Sequence, residues 1–404
     1  MRERQPSTKG FLMLKGRQGY TLVELIVVMA IFVTVIIVAS AGFNTVLTHV
    51  GQQSKQMETD IGSVVGLELF RSDLQNAGYG LPWTFQSTPA AAGYTEVTTS
   101  DTGLPMTATF WPSGQSPRTY NDASTGVPRA VLSGNTNFNL KDGIGSKYLV
   151  LKSLTVTGSV DGTQKKWMTV TFGDTGKSAP SWNDATRDFS ASEKVMVLRN
   201  TFANGTPSRQ LQVNSGGAYS TTFSLYSTLT IPHSSGDMFQ VYGVDQSTTP
   251  RMPFNRADYF VSTPATPPPA CAPNTGILYK SVLNQGSGFT DIPLMDCVAD
   301  MQVVYGIGPT DSTDVNFHQT TLPGTGSAQE IRQQLKEIRV YILAHSGKKD
   351  TGYKHPQSQI AVGESFGGTL NGRTFDLPTQ IGAGWDNYRW KVYTLVVRPQ
   401  NLIQ

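Results

Sequence analysis

The stretch KGRQGYTLVELIVVMAIFVTVIIVASAG, Lys15 to Gly42, decides how the rest of the chain is read. From Tyr20 to Ala41 it runs for 22 residues with Glu24 as its only charge. As a helix this run is about 33 Å long, enough to cross the hydrocarbon core of a bilayer. Glu24 is the anomaly, because a carboxylate costs roughly 2–3 kcal/mol near the bilayer centre and less toward the interface. Lys15 and Arg17 stand just before the run, so the positive-inside rule leaves the N-terminus cytoplasmic and the remaining chain outside.

Working outward, residues 1–19 carry Arg2, Arg4, Lys9, Lys15 and Arg17 against Glu3 alone, a balance of +4 in a chain of formal charge +3. The remainder sums to about −1, and no basic face for nucleic acid follows from that balance. The 404 residues suffice for two or three average domains, or for one long segment and a large β-rich domain. Their 40 Gly and 23 Pro favour turns and strands over a helix bundle.

An ordinary signal peptide is one reading of the N-terminus, since Ala39-Ser40-Ala41 offers a small-residue cleavage site after a basic region. Against it, the apolar run exceeds the usual length of roughly 7–15 residues, and a carboxylate serves nothing in a discarded segment. The stretch KGRQGYTLVEL instead resembles the class III signal of type IV pilins and pseudopilins. That resemblance implies a prepilin peptidase cutting between Gly19 and Tyr20, N-methylation of Tyr20, and Glu24 as the fifth residue of the mature chain. Tyr20 stands where the family more often has Phe or Met. A start at Met13 would shorten the leader from 19 residues to seven. Once cut, Tyr20 carries an amine that is cationic at neutral pH. A neighbouring subunit's amine beside Glu24 would neutralise both groups, so Glu24 sets assembly register, the best-attested use of a buried ionic group.

Past Ala41, Phe43, Val46, Leu47, Val50, Met57, Ile61, Val64 and Val65 recur at helical spacing among polar residues. This predicts one helix to Ala77, stopped by Gly78, Gly80 and Pro82, its second half carrying either a core stripe against the head or a surface for other subunits. From residue 83 the texture changes to strands. SKYLVLKSLTVTG (146–158), KKWMTVTF (165–172), EKVMVLRN (193–200), DMFQVYGVD (237–245) and ADYFVST (257–263) are β-branched and aromatic, with Ser/Gly/Asn/Asp-rich connectors between. STPATPPPACAPNTG (262–276) reads as an extended Pro-rich connector. Cys271 and Cys297, 26 residues apart, would be buried thiols in a reducing compartment. In an oxidising one they are a candidate disulfide worth about 3–4 kcal/mol.

LMDCVADMQVVYGIG (294–308), LKEIRVYILAHS (335–346), NYRWKVYTLVVRPQNL (387–402) and FRSDLQNAGYG (70–80) resemble recurring segments of the PilW family of minor pilins. In the third segment Val392, Thr394 and Val396 interleave with Tyr393, Leu395 and Val397. It is nearly apolar on both faces, which predicts a central strand.

Three motifs invite enzymatic readings. GESFG (Gly363 to Gly367) would make Ser365 a nucleophile, but the hydrolase elbow needs a following helix and a downstream His. GTLNG follows it, and the last His, His355, lies upstream. TFGDTGKS (171–178) lacks the Gly of a P-loop at Thr171. DSTDVNFH (311–318) lacks the Asp/Asn alternation and closing Glu of a calcium loop, and reads as a solvated loop around Asp311, Asp314 and His318. No catalytic, metal or cofactor site is expected.

The expectation is therefore an α+β, pilin-like fold: a long N-terminal membrane-spanning helix and a large antiparallel β-rich head. Its parts are a leader (1–19), a transmembrane part (20–41), a periplasmic continuation (42–77), a variable β-rich region (83–260) and a C-terminal PilW-like region (261–404). The resemblance implies a non-enzymatic minor pilin, held in the inner membrane with its head in the periplasm, that helps initiate or cap a pilus. Its partners would be other major and minor pilins, prepilin peptidase and the inner-membrane assembly platform, with residues 83–260 open to an added adhesin role. The alternatives are the minor pseudopilin J of type II secretion and, from another class, a secreted β-rich adhesin or hydrolase cut after Ala41.

Overall fold

The computed structural model describes residues 21–85, 93–157, 166–171, 182–203, 206–229, 236–246 and 248–402. Gly19, Tyr20 and most of TFGDTGKS lie outside them. The chain divides into two units, one through Ser54 and one from Lys55 onward, and helix α1 (Leu22–Gln75) contributes to both. In the first unit, the 23 residues Leu22–Asn44 are long and apolar enough to cross a membrane, and none is buried. Among the described residues their apolar side chains are exposed, which suits lipid or other helices rather than water.

The second unit is a β-rich head. Helix α1 ends at Gln75, two residues short of the expected Ala77, and beyond it Gly78 and Gly80 adopt φ of +83° and +69°, backbone that disfavours any side chain. The released chain is stitched down at once: the Gly78 N–H donates to the Lys152 carbonyl at 2.9 Å, and the Gln400 N–H donates to the Gln75 carbonyl at 3.0 Å.

Sixteen strands are described. The larger sheet contains β2 (Val131–Asn135), β3 (Lys147–Ser153), β9 (Asn255–Ser262), β10 (Gly276–Leu283), β11 (Phe289–Ile307), β12 (Phe317–Gln319), β13 (Leu335–Ser346) and β16 (Arg389–Val397). Its antiparallel order is β16-β13-β11-β10-β9-β3-β2, with β12 also on β11. A smaller sheet holds β1 (Thr84–Phe85), β4 (Trp167–Thr171), β5 (Lys194–Ala203), β6 (Thr206–Leu211), β7 (Ser220–Thr222) and β8 (Met238–Asp245). Its order is β1-β6-β5-β8-β4, with β7 also on β5. A separate hairpin joins β14 (Gln359–Phe366) to β15 (Thr369–Asp376). Residues 83–260 are thus shared between both sheets: β2, β3 and β9 extend the same sheet as the C-terminal strands.

The larger sheet is covered on both faces. Ile338, Val340 and Ile342 of β13 share one core with Leu67, Phe70 and Leu74 of α1. Tyr341 and Leu343 point the other way, into a core with Val362 and Phe375 of the hairpin. This two-sided cover corrects the expectation for β16, which lies at the sheet edge. Leu395 and Val397 pack toward the helix and Trp390 toward the hairpin, so its apolar faces report the layers above and below. Apolar character on two faces says nothing about neighbours within the sheet. The Pro-rich connector is likewise turned rather than extended, with the Cys271 N–H donating to the Pro268 carbonyl at 3.0 Å between β9 and β10.

Candidate functional site

At the head of α1, Thr21 and Glu24 cap the helix reciprocally. The Thr21 N–H and Oγ1 both donate to Glu24 Oε2 at 3.0 Å, and the Glu24 N–H donates to Thr21 Oγ1 at 3.3 Å. This Thr-x-x-Glu capping box satisfies amides that the first helical turn leaves without partners. Sequence reasoning assigned Glu24 to assembly register alone and missed this local role, although TLVE is the pattern that signals it. The side-chain hydrogen bonds that Glu24 makes among the described residues are both with neutral groups of Thr21. Its carboxylate is exposed and carries no cationic partner there.

In the head, α1 is seated by one face only. Leu67, Phe70, Leu74 and Ala77 are buried, spaced as one side of a helix. Gly66 permits the closest approach: a Cβ there would lie 2.1 Å from the Leu294 carbonyl oxygen of β11. One turn later Phe70 stacks on Tyr259 of β9, with centroids 4.1 Å apart and planes 9° from parallel. The apolar stripe singled out from the sequence is not this face, since Val64 and Val65 are 62% and 67% exposed. Phe43, Val46, Leu47 and Val50 are exposed as well, and the side chains of Met57 and Ile61 lie outside the described residues.

Asp73 completes the seat. Lys280 of β10 donates to Asp73 Oδ2 at 2.5 Å, and the Tyr259 hydroxyl donates to the same oxygen. Burial raises the Asp73 carboxyl above its ordinary range, outweighing the opposing pull of Lys280 and Tyr259. Neither Asp73 nor Lys280 was singled out from the sequence. The available signal was a lysine inside an apolar strand and an aspartate on a helix face two turns after Gly66.

A second ionic cluster ties the loop segment 93–130 to the sheet. Lys152 donates to Glu96 Oε1 at 2.7 Å and to Asp122 Oδ2 at 2.6 Å. Arg256 grips Asp258 through two hydrogen bonds of 2.7 and 2.8 Å and reaches Glu96 at 3.1 Å, and Tyr148 donates to Asp258. Burial opposes ionisation of Asp122, yet Lys152, Arg129 and the Arg129 N–H hold its carboxyl below the ordinary range. Arg373 and Asp300 do the same work for the hairpin, pairing at 2.8 Å between β15 and β11.

Cys271 and Cys297 form a disulfide with Cα atoms 4.9 Å apart, fastening the connector before β10 to β11. Beside it, the Ala272 N–H donates to Nε2 of His345 at 2.9 Å, and that ring packs against Tyr388 and Trp390. Burial pushes the His345 imidazole down to about 4.

The motif-like stretches take other roles. Ser365 lies in β14 opposite Leu370, and Gly367-Gly368 make the turn with φ of +58° and +85°. Two successive positive φ values suit the tight turn of a twisted hairpin, not a nucleophile elbow. His318 stacks on Phe366 at 3.7 Å and meets Glu337 at 3.3 Å, away from any pairing with Asp314, whose Oδ2 accepts from Ser312.

Comparison with known families agrees with this division of labour. Residues 258–401 match the family model of the type IV pilus-assembly protein W, PilW. Residues 14–40 match the prokaryotic N-terminal methylation motif. No curated protein and no solved structure is a significant match to the chain.

Proposed function

We propose that this chain, a PilW-family type IV pilin-like protein, is a minor pilin that takes part in initiating or capping the filament. Proteins of this kind are structural rather than catalytic, and the pilin signal ties the chain to other pilins and to the pilus machinery. In this reading prepilin peptidase cuts between Gly19 and Tyr20, Tyr20 is N-methylated, and the subunit waits in the inner membrane through residues 20–41 with its head in the periplasm. The assembly platform then brings it beside other major and minor pilins.

The observation that carries this reading is the head of α1. The exposed apolar segment Leu22–Asn44 begins with a carboxylate whose side-chain partners among the described residues are neutral Thr21 groups, so the charge of Glu24 is left to a cation beyond them. A neighbour's N-terminal amine is such a cation, and the pairing would be favourable only where both are withdrawn from water. The exposed stripe from Phe43 to Val50 supports the same view, as a surface suited to neighbouring helices. A head of this size suits a terminal position better than a repeating shaft. Against cleavage after Ala41, that residue is helical within α1 rather than extended.

The test is the N-terminal residue and mass of the mature protein recovered from cell envelopes. The expected chain begins at Tyr20, with one added methyl group. A chain beginning at Gly42 would discard Glu24 and sink the assembly argument with it.

A further inference from the structure

Lys152 of β3 differs from the other buried lysines of the head in the groups around its amine. The ammonium donates to Asp122 Oδ2 at 2.6 Å and to Glu96 Oε1 at 2.7 Å, so one nitrogen lies within reach of two carboxylates. Lys280 meets Asp73 and Lys166 meets Glu193, with no second carboxylate on either amine among the described residues. The side chains of Lys152 and Glu96 are fully buried, and that of Asp122 is 8% exposed. The Phe254 ring, its centroid 5.1 Å from the Lys152 nitrogen, sets an apolar wall beside it.

The carboxyl carbon of Asp122 is prepared from its other side. Oδ1 accepts from Arg129 Nε at 2.6 Å, while the bond from Lys152 goes to Oδ2. A guanidinium in that place would stabilise negative charge gathering on Oδ1 during attack at Cγ, as an oxyanion hole does. Glu96 is fixed as well: Arg256 donates to its Oε2 at 3.1 Å, and the Asp122 N–H donates to Oε1 at 3.1 Å. An amine, a carboxyl carbon, an oxyanion donor and a proton acceptor thus stand together in one buried cluster. Reactants held in contact no longer meet the entropic barrier of a bimolecular step.

The charges around this amine also allow a reaction. Lys152, Arg129 and Arg256 face Glu96, Asp122 and Asp258. Removing the lysine and the Asp122 charge together leaves Arg256 with Asp258 and Glu96, and Arg129 at the partly exposed rim on the amide oxygen. No buried charge loses its counter-charge, and the cost of keeping an ammonium and a carboxylate out of water is relieved.

We infer that Lys152 and Asp122 condense in the folded head to an isopeptide bond, Nζ to Cγ, with Glu96 as proton relay and Arg129 as oxyanion donor. Although burial opposes ionisation, Lys152 and Arg129 hold Asp122 charged at rest, so the step begins with a proton passing from Nζ to Oδ2 along their hydrogen bond. The freed lone pair attacks Cγ, and the C=Oδ1 pair moves onto Oδ1 beside Arg129 Nε. A second proton passes from the nitrogen to Glu96 Oε1. As the double bond to Oδ1 re-forms, the Cγ–Oδ2 bond breaks, and Oδ2 takes that proton from Glu96 and leaves as water. The third proton stays on the amide nitrogen, and Glu96 ends as it began. The bond ties the loop segment 93–130 covalently to β3, and it does not depend on how α1 is processed or used.

The intact mass of the full chain, folded in non-ionic detergent, and a tryptic map after reduction test it. The folded chain should weigh one water less than its termini and disulfide dictate, and should yield a branched peptide joining Lys152 to Asp122. Chain recovered unfolded and held in concentrated urea should carry the full mass and lose the water on refolding, because the fold supplies the proximity. Asp122→Ala and Lys152→Arg should keep the full mass. Glu96→Gln should form the bond roughly a hundredfold more slowly or worse, the lower end of what general acid–base catalysis contributes. The inference is overturned if the unmodified chain, folded by near-ultraviolet circular dichroism, keeps its full mass. It is equally overturned if the lost water maps to a cyclic imide at an Asp-Gly step such as Asp142-Gly143, or if Glu96→Gln cross-links as fast as the unmodified chain.

Discussion

Asp73→Ala is the perturbation that probes how α1 is held to the head. Lys280 and Asp73 are 2% and 7% exposed at their side chains, so truncating the aspartate leaves an ammonium in the core without a counter-charge. The Tyr259 hydroxyl loses its acceptor in the same step. Breaking a buried pair from one side costs about 3–5 kcal/mol, whereas replacing both partners by apolar groups of similar volume is often neutral or stabilising. The raised Asp73 carboxyl agrees with that asymmetry: burial works against the charge more strongly than its partners support it. Urea unfolding of the oxidised full chain in non-ionic detergent, followed by tryptophan emission, should therefore show a loss of about 3–5 kcal/mol for Asp73→Ala. Lys280→Met should lose a similar amount, and the double variant Asp73→Leu/Lys280→Met far less than the two together. A loss below about 1 kcal/mol in Asp73→Ala, or additive losses in the double variant, would refute the reasoning.

Three further outcomes are expected. Cys271→Ser should destabilise the head by about 3.5 kcal/mol in the oxidised state and match the reduced protein, as loop-closure entropy for this spacing implies; equal stability of the unmodified chain with and without reductant would count against it. His345 stays neutral when folded down to about 4, while in the unfolded chain it takes up a proton near 6.5, so stability should fall by about 3 kcal/mol as pH drops through that window. His345→Gln should flatten this slope, and an unchanged urea midpoint profile between pH 6.5 and 4 in the variant would show that another group is responsible. Glu24→Gln preserves a side chain that can serve the capping box but removes the charge. It should remain inserted and processed yet fail to enter filaments, and normal incorporation on immunoblots of sheared pili would leave capping as the only role of Glu24.

The membrane-length helix and the β-rich character of the head were legible from residue type and spacing alone. Hydropathy over 20–41 and the helix-stopping glycines act locally, so their consequences do not depend on the rest of the fold. Several strands followed the same logic, β3 running from Lys147 to Ser153 within the β-branched stretch SKYLVLKSLTVTG. The two cysteines could be placed as a candidate pair, but only chain folding brought their Cα atoms to 4.9 Å.

What tertiary structure alone decided were relations between distant residues. Phe43 to Val65 and Leu67 to Ala77 are both apolar at helical period, and nothing local says which face meets the sheet. Gly66 against Leu294 and Phe70 against Tyr259 settle it, because only at that face can backbone and ring approach closely. The edge position of β16 was hidden for a related reason: burial on two faces depends on layers above and below, while edge or centre depends on hydrogen bonding in the plane. Asp73 with Lys280, and Glu96 with Arg256, join residues more than a hundred positions apart. Charge balance along a chain cannot reveal which cation meets which carboxylate, since desolvation and Coulomb attraction act through space rather than along the sequence.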